Sequence, residues 1–372
     1  MSLTDKPIAT FPLTWVSLDD TEEASLYLAQ WKSSTARRPH DHPGFLLFMQ
    51  PIGYNSAAVM YRQAGGGRII YPFYCCNLTE LPYFKNIHQP LKHMVSPYGY
   101  GGALYDGDPL CREAASHDFE FFFIRELRRR GFVTEFIRDD VFVDRLACRS
   151  VGEVIEQQPN VVVRLQRTAE DIWKSYKAKV RKNVKRAKEN GLRVTFDTCG
   201  AMLDDFLEVY YGTMERTEAS KSFFMSKDKF ERLQSTLGSD GGLLYVHVFD
   251  GDQIISTELL LLSSDTIYSF LGGTVATAFD KRPNDLLKHE VILWGGANGY
   301  KWYVLGGGVT AGDGIFRYKE AFDPESIFPF QVRRVKYDSG AYQLLVEARA
   351  NYEKDRGQDW QPNPDFFPEF LS

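Results

Sequence analysis

Runs of apolar residues broken by polar turns divide the chain into two stretches of similar content. In the first, FLLFMQP and AAVMYRQAGGGRIIYPFY read as strands, with the glycines from Gly65 to Gly67 as a hairpin turn. HMVSPYGYGGALYDGD then reads as a Tyr- and Gly-rich loop. REAASHDFEFFFIRELRRR follows as a helix over 112–130 stopped by Gly131, and FVTEFI resumes as a strand.

The second stretch opens with the strand NVVVRL and one long helix. Thr168 with Asp171 three residues on predicts its start, Asn190-Gly191 predicts its end, and a span of about 22 residues predicts roughly 33 Å of helix. LRVTFD reads as a strand and 202–217 and 226–237 as helices. LLYVHVFDGDQIISTELLLLSSDTIYSFLGG alternates as three antiparallel strands turning at Asp250-Gly251-Asp252 and Ser263-Ser264-Asp265. Residues 284–298 form a helix with Leu286, Leu287, Val291 and Trp294 on its apolar face. KWYVLGGG is a strand, GDGIFRYKEAFDP a short helix, and FPFQVRRVKY with AYQLLVEAR a final strand pair. The segment after Arg356 is expected to be extended and docked.

The chain has 372 residues, 44% of them hydrophobic and 14% aromatic, which is enough apolar material for two packed cores. A formal net charge of −5 excludes a general nucleic-acid coat. Yet Lys177 to Lys188 carries seven positive charges in twelve residues, so a polyanion would be met at a patch. On a helical wheel Ile172, Tyr176, Val180, Val184 and Ala187 recur on one face and Lys174, Lys177, Arg181, Lys185 and Lys188 on another. The cationic face is either solvated charge or a seat for an anionic ligand.

Five cysteines without a CxxC pair read as thiols of a reducing, cytoplasmic compartment, and no apolar run approaches a membrane span. His40-Asp41-His42 lacks a nearby third ligand, so no metal is expected. The loop Ser96-Pro97-Tyr98-Gly99-Tyr100-Gly101-Gly102 is either a ligand-contacting loop or a tight, partly buried turn. Leu305-Gly306-Gly307-Gly308, followed by Gly312-Asp313-Gly314 and Lys319, is a glycine cluster at a strand end leading to a lysine. Lys319 there is either a cation at a reaction centre or a surface residue. Glu258, in STELLLL, is either a base or a solvent-facing carboxylate, and no Ser-His-Asp triad is visible.

The basic helix RKNVKRAKENGLRV behind Arg164-Leu165, together with the late GGG and GIFRYKEAF, resembles the FemAB-like branch of the GNAT acyltransferases. That resemblance implies an α/β (α+β) chain of two tandem GNAT-like domains, each a mixed, mostly antiparallel sheet flanked by helices. Residues 1–155 and 156–350 are the expected domains, with 351–372 as a C-terminal tail.

The resemblance further implies an acyl or aminoacyl transferase forming an amide on an amine of a phosphorylated cell-envelope precursor. An acyl-CoA-dependent N-acyltransferase and a non-catalytic binding protein are the alternatives. It places Lys319 at the reaction centre, Arg181 with Lys185 on substrate phosphate, and Tyr98, Tyr100 and Gly101 in a substrate loop. The small phosphorylated acceptor is the expected partner, with aminoacyl-tRNA or acyl-CoA as donor cosubstrate and no tightly bound cofactor. DNA is not expected as a partner, and contact with membrane would be peripheral, through a lipid-linked precursor. Two features bear on the donor. Phe279 to Asp285 carries no glycine where a CoA-using domain has its pyrophosphate-binding turn, and no long charged hairpin is inserted between Gly191 and Gly241 to grip tRNA.

Overall fold

The computed structural model describes residues 12–63, 67–147, 149–308, 310 and 312–372, so the hairpin expected at Gly65 and Gly66 lies outside the described residues. From the N-terminal side come β1 (Leu13–Ser17), α1 (Thr21–Ser33), α2 (Pro43–Met49), β2 (Asn55–Arg62) and β3 (Arg68–Asn77). Then follow β4 (Lys92–Val95), β5 (Leu104–Asp106), α3 (Arg112–Arg129), β6 (Phe132–Arg138) and β7 (Glu153–Glu156).

The second stretch supplies β8 (Asn160–Arg164), α4 (Ala169–Ser175), α5 (Ala178–Glu189), β9 (Arg193–Asp197), α6 (Leu203–Arg216) and α7 (Lys227–Leu233). It continues with β10 (Leu243–Asp250), β11 (Gln253–Leu262), β12 (Thr266–Thr274), α8 (Pro283–Ala297), β13 (Trp302–Gly306), α9 (Gly314–Glu320) and β14 (Ile327–Phe328). The chain ends with β15 (Gln331–Lys336) and α10 (Ser339–Asp355).

Two sheets result. One is ordered β1-β2-β3-β4-β6-β15-β7 with β5 paired to β3, the other β9-β10-β11-β12-β13-β8-β14. Each is antiparallel except at one central pair, β4 with β6 and β12 with β13, which run parallel across a helical crossover through α3 or α8. This is the mixed, mostly antiparallel architecture expected, laid down twice.

The two compact units do not follow the expected ranges. The first takes the chain up to Ala36, Met49–Glu156 and Gln331–Ser372; the second takes Arg37–Phe48 and Gln157–Phe330. The reason is strand pairing: β15 hydrogen-bonds between β6 and β7, so the chain after Phe330 returns to the first sheet. Residues 37–48 join the second unit because His40 packs edge-on to Tyr268 at 4.7 Å and Phe45 and Phe48 pack on Phe270. The His-Asp-His stretch is thus a packing element, with Asp41 paired to Arg38 at 2.8 Å and His42 to Asp240 at 3.1 Å. No group able to hold a metal ion occurs among the described residues.

Three local expectations are corrected. FLLFMQP is helix α2 and AYQLLVEAR lies inside helix α10, whose N-cap Asp338 accepts a bond from the Ala341 amide at 2.9 Å. The long basic helix is two helices, broken at Tyr176 and Lys177, whose backbones are extended (ψ 141° and 148°). At the break Tyr176 is buried with its hydroxyl 3.1 Å from His289 Nδ1, and the Lys177 amide donates to Ala321 O at 2.9 Å. Beyond it α5 buries Val180, Val184 and Ala187 among Val246, Leu260, Leu287 and Val291. Each of those valines contributes about 1.5–3 kcal/mol through burial. No helix of the described residues is long and apolar enough to cross a membrane.

Candidate active site

The second unit opens where its parallel pair parts. β12 and β13 are paired only from Thr266 opposite Trp302 to Tyr268 opposite Val304, yet β12 continues to Thr274. A bulge bends β12 at the same point: Leu259 of β11 faces Leu271 and Leu260 faces Ser269, leaving Phe270 as the extra residue. Further along, β12 needs glycines. A Cβ on Gly272 would lie 2.6 Å from Thr257 O, and one on Gly273 would lie 2.6 Å from Val209 O of α6. The close approach of α6 that these glycines permit supplies one wall of the opening; α8 and α9 supply others.

A cavity of about 420 Å³ occupies this opening, and Glu258, Ser269, Lys288, Tyr318 and Lys319 line it. Glu258 and Lys288 form a buried ion pair at 2.5 Å. Lys288 Nζ also donates to Ser269 Oγ and Tyr303 OH, each at 3.0 Å. Ser269 in turn donates to Glu258 Oε1, and Tyr303 OH donates to Glu258 Oε2 at 3.1 Å. Both charges are therefore fully hydrogen-bonded, which is what permits them below the surface. Burial, and then the Glu258 charge, push the Tyr303 hydroxyl well above its ordinary pKa, so it stays a donor.

Lys319 is held differently. Its Nζ donates to the carbonyl of Gly307 at 2.7 Å, and no carboxylate pairs with it among the described residues. Burial and the neighbouring Lys288 ammonium lower its pKa to about 8, against the smaller opposing effects of Glu258 and Asp313. The adjacent Tyr318 hydroxyl is buried without a hydrogen-bond partner. Asp313, accepting the Phe316 amide at 2.7 Å, starts the helix that carries both residues.

The remaining expected site residues fall into two groups. Arg181 and Lys185 lie on α5 in the same unit as Lys319. Several of the basic helices' charges are already countered: Lys174 by Glu170, Lys177 by Glu320, Arg186 by Asp280 and Lys188 by Glu290. Arg181 and Lys185 have no such ion pair among the described residues. Arg181 Nη1 donates to Tyr176 O and, at 3.4 Å, to Lys174 O, which fixes the guanidinium at the end of α4.

Tyr98, Tyr100 and Gly101 belong to the first unit, where the loop is a tight turn. Gly99 and Gly102 have φ of 83° and 86°, Tyr100 is buried, and a Cβ on Gly101 would meet Ser96 Cβ at 2.7 Å. Tyr98 is partly exposed, at 39%, though burial raises the pKa of its hydroxyl.

Lys288, Ser269, Tyr303 and Tyr318 escape a reading of the sequence alone. Lys288 does leave a signal: it sits one position after Leu287 and three before Val291, a charge on the buried face of a helix.

Comparison with known proteins bears on the fold. Residues 174–320 match the model of the acetyltransferase (GNAT) domain. Among solved structures, FemX superposes with a TM-score of 0.62 at 14% identity, covering 86% of this chain and 98% of its own. The C-terminal domain of a putative lysylphosphatidylglycerol synthetase from Agrobacterium fabrum gives 0.54 at 12%, covering 88% and 97%. A conserved protein of unknown function from Bacteroides thetaiotaomicron gives 0.53 at 10%, covering 88% and 100%. A search of curated proteins gives no match. The chain thus shares the fold of FemX, with the GNAT domain matched in its second unit.

Proposed function

From a chain that carries a GNAT acetyltransferase domain within a FemX-like fold, we propose an acyl or aminoacyl transferase that forms an amide on an amine of a phosphorylated cell-envelope precursor. The observation that carries this reading is the cavity between the parted strands, which sets Lys319 beside the Glu258–Lys288 pair. An amine placed there attacks an ester or thioester carbonyl, and the Lys319 ammonium stands opposite the oxyanion that develops. Orientation of the two reactants supplies most of the remaining rate.

Arg181, pre-set by the α4 carbonyls, and Lys185, both without an ion pair among the described residues, are the cations assigned to the acceptor's phosphates. The donor is an aminoacyl ester or an acyl thioester. The turn before α8 speaks against a CoA pyrophosphate seated there: Arg282 occupies the left-handed region at φ 62°, and Pro283 removes an amide from the first helical turn.

A panel of aminoacyl-tRNA, CoA thioesters, UDP-linked sugars and muropeptide precursors tests the proposal, with mass spectrometry reading amide formation. A new amide on a phosphorylated precursor is expected. Acylation of simple amines from a CoA thioester, with none on precursors, would replace this reading by that of an ordinary N-acyltransferase.

A further inference from the structure

We propose that Lys319 is the group that takes the proton from the acceptor ammonium, and that Lys288 is the positioning residue that keeps Lys319 fit to do so. The inference rests on the acyl-transfer reading of the cavity and assigns a proton path within it.

The two lysines share one cavity and are bonded in opposite ways. Lys288 gives all three ammonium protons to fixed acceptors: Glu258 Oε1 at 2.5 Å, Ser269 Oγ at 3.0 Å and Tyr303 OH at 3.0 Å. That set fixes the Lys288 ammonium in place as the counter-charge of Glu258. Among the described residues Lys319 bonds to one neutral acceptor, Gly307 O at 2.7 Å. A neutral amine still donates one N–H to that carbonyl and keeps a lone pair for the cavity, so the bond that aims Lys319 survives its deprotonation.

The charged and titratable groups around Lys319 can be named element by element. They are Lys288 on α8, Glu258 on β11, Tyr303 on β13, Asp313 ahead of α9, Tyr318 on α9, and Arg216 of α6 at the cavity wall. Glu258 is neutralised by its own partner, and Asp313 is occupied in capping α9. Burial and the Lys288 ammonium therefore prevail and favour the neutral amine.

The step balances. The acceptor ammonium passes one proton to the Lys319 amine; its freed lone pair forms the C–N bond, and the carbonyl oxygen becomes an oxyanion facing the new Lys319 ammonium. Collapse breaks the C–O or C–S bond, and the leaving group takes the proton that the nitrogen sheds. Lys319 then returns its proton to solvent.

Competitive trace labelling with acetic anhydride, read by peptide mass spectrometry across neutral to alkaline pH, measures the Lys319 amine without any substrate. Half-maximal labelling of Lys319 near pH 8 is expected, below the ordinary 10.5 of a lysine amine. Lys288→Met moves the Lys319 midpoint upward by about one unit, and Glu258→Gln moves it downward. If Lys288→Met fails to fold, the parent and Glu258→Gln still decide. Half-maximal labelling of Lys319 near the ordinary 10.5 overturns the proposal.

With a donor and acceptor found as above, Lys319→Arg and Lys319→Met lose similar activity, about 100-fold, because arginine keeps the charge but cannot take the proton. Retention of most activity by Lys319→Arg makes Lys319 a fixed cation and also overturns it. Failure of every donor in the panel counts against the transferase reading and leaves the labelling result readable.

Discussion

The two sheets use one strand order and finish it differently. In the first unit the parallel pair is closed: β4 pairs with β6 along its length, from Lys92 opposite Phe132 to Val95 opposite Phe136. The closure then continues beyond the strand. Ser96 donates its amide to Phe136 O at 2.9 Å, and its hydroxyl accepts the Arg138 amide at 2.8 Å, so the Tyr- and Gly-rich turn folds onto the end of the pair. In the second unit the corresponding strands part after three residue pairs, and the space between them is the cavity that holds Lys319. The same strand order thus leaves an opening in the second unit and closes the equivalent place in the first.

The buried polar networks differ in the same sense. Glu135 on β6 accepts from Tyr71 and Tyr337 and pairs with Arg149 at 3.0 Å, while Arg149 also meets Glu120 at 3.1 Å. That network is part of the first core, among Tyr71, Phe119 and Phe123. In the second unit Glu258, Ser269, Lys288 and Tyr303 make a network of the same kind, but it borders a cavity. Removing one partner of either leaves a buried charge unpaired. Arg149→Met and Lys288→Met should each cost roughly 3–5 kcal/mol in urea unfolding. If the comparison holds, enough Arg149→Met folded at low temperature retains parental turnover per folded molecule, whereas Lys288→Met does not. Equal loss of turnover in both would break it.

Lys319→Met separates activity from stability. The rate should fall about 100-fold, close to 2.7 kcal/mol of barrier. Stability should move the other way. The folded-state pKa, about 8, lies below the ordinary 10.5. The unfolded chain therefore binds more protons between those values, and parental stability rises with pH across that window. Below about pH 8 the cost of burying the charge is fully present, so Lys319→Met should be more stable than the parent at neutral pH, by roughly 1–3 kcal/mol. Melting temperatures at neutral and alkaline pH check this: a gap that does not narrow as pH rises would show that Lys319 is not desolvated in the cavity.

Closure of the first unit can be challenged at Gly101. Its missing Cβ would lie 2.7 Å from Ser96 Cβ and 3.1 Å from Arg138 O, so Gly101→Ala should destabilise by about 1–3 kcal/mol without touching the rate per folded molecule. A loss of rate with unchanged melting would move the loop from closure to substrate contact.

Much of this architecture is legible in the sequence where local signals and packing agree. The triple of strands from Leu243 to Thr274 alternates and turns at Asp-Gly and Ser-Asp pairs, and the structure follows it. The failures have physical causes. The FLLFM of FLLFMQP is an unbroken apolar run with no period to read, and only burial of Phe45 and Phe48 with Leu47 exposed reveals a helix. AYQLLVEAR does carry a helical signal, since Ala341, Tyr342 and Leu345 are buried with Leu344 exposed behind the cap Asp338. The break at Tyr176 leaves no such mark, because the apolar spacing runs straight through it and long-range bonds to His289 and Ala321 impose it. The site divides likewise. Lys319 is reached through its glycine cluster and family motif, but burial and then the Lys288 ammonium lower its pKa, and only the fold brings these about.

The smallest expected effect concerns Arg181, where a structural role and an anion-binding role overlap. Its Nη1 satisfies carbonyls left open at the end of α4, so Arg181→Ala should cost about 0.5–1.5 kcal/mol, the worth of one net hydrogen bond. Lys185 has no ion pair among the described residues, and Lys185→Ala should leave the melting temperature within error. Binding of a UDP-linked precursor separates the roles. If the unpaired charges on α5 hold phosphate, both variants weaken binding and both lower its dependence on salt. If Arg181 serves only the break between α4 and α5, it loses stability while precursor affinity stays at the parental value, and the second unit's open cavity must find its phosphate contacts elsewhere.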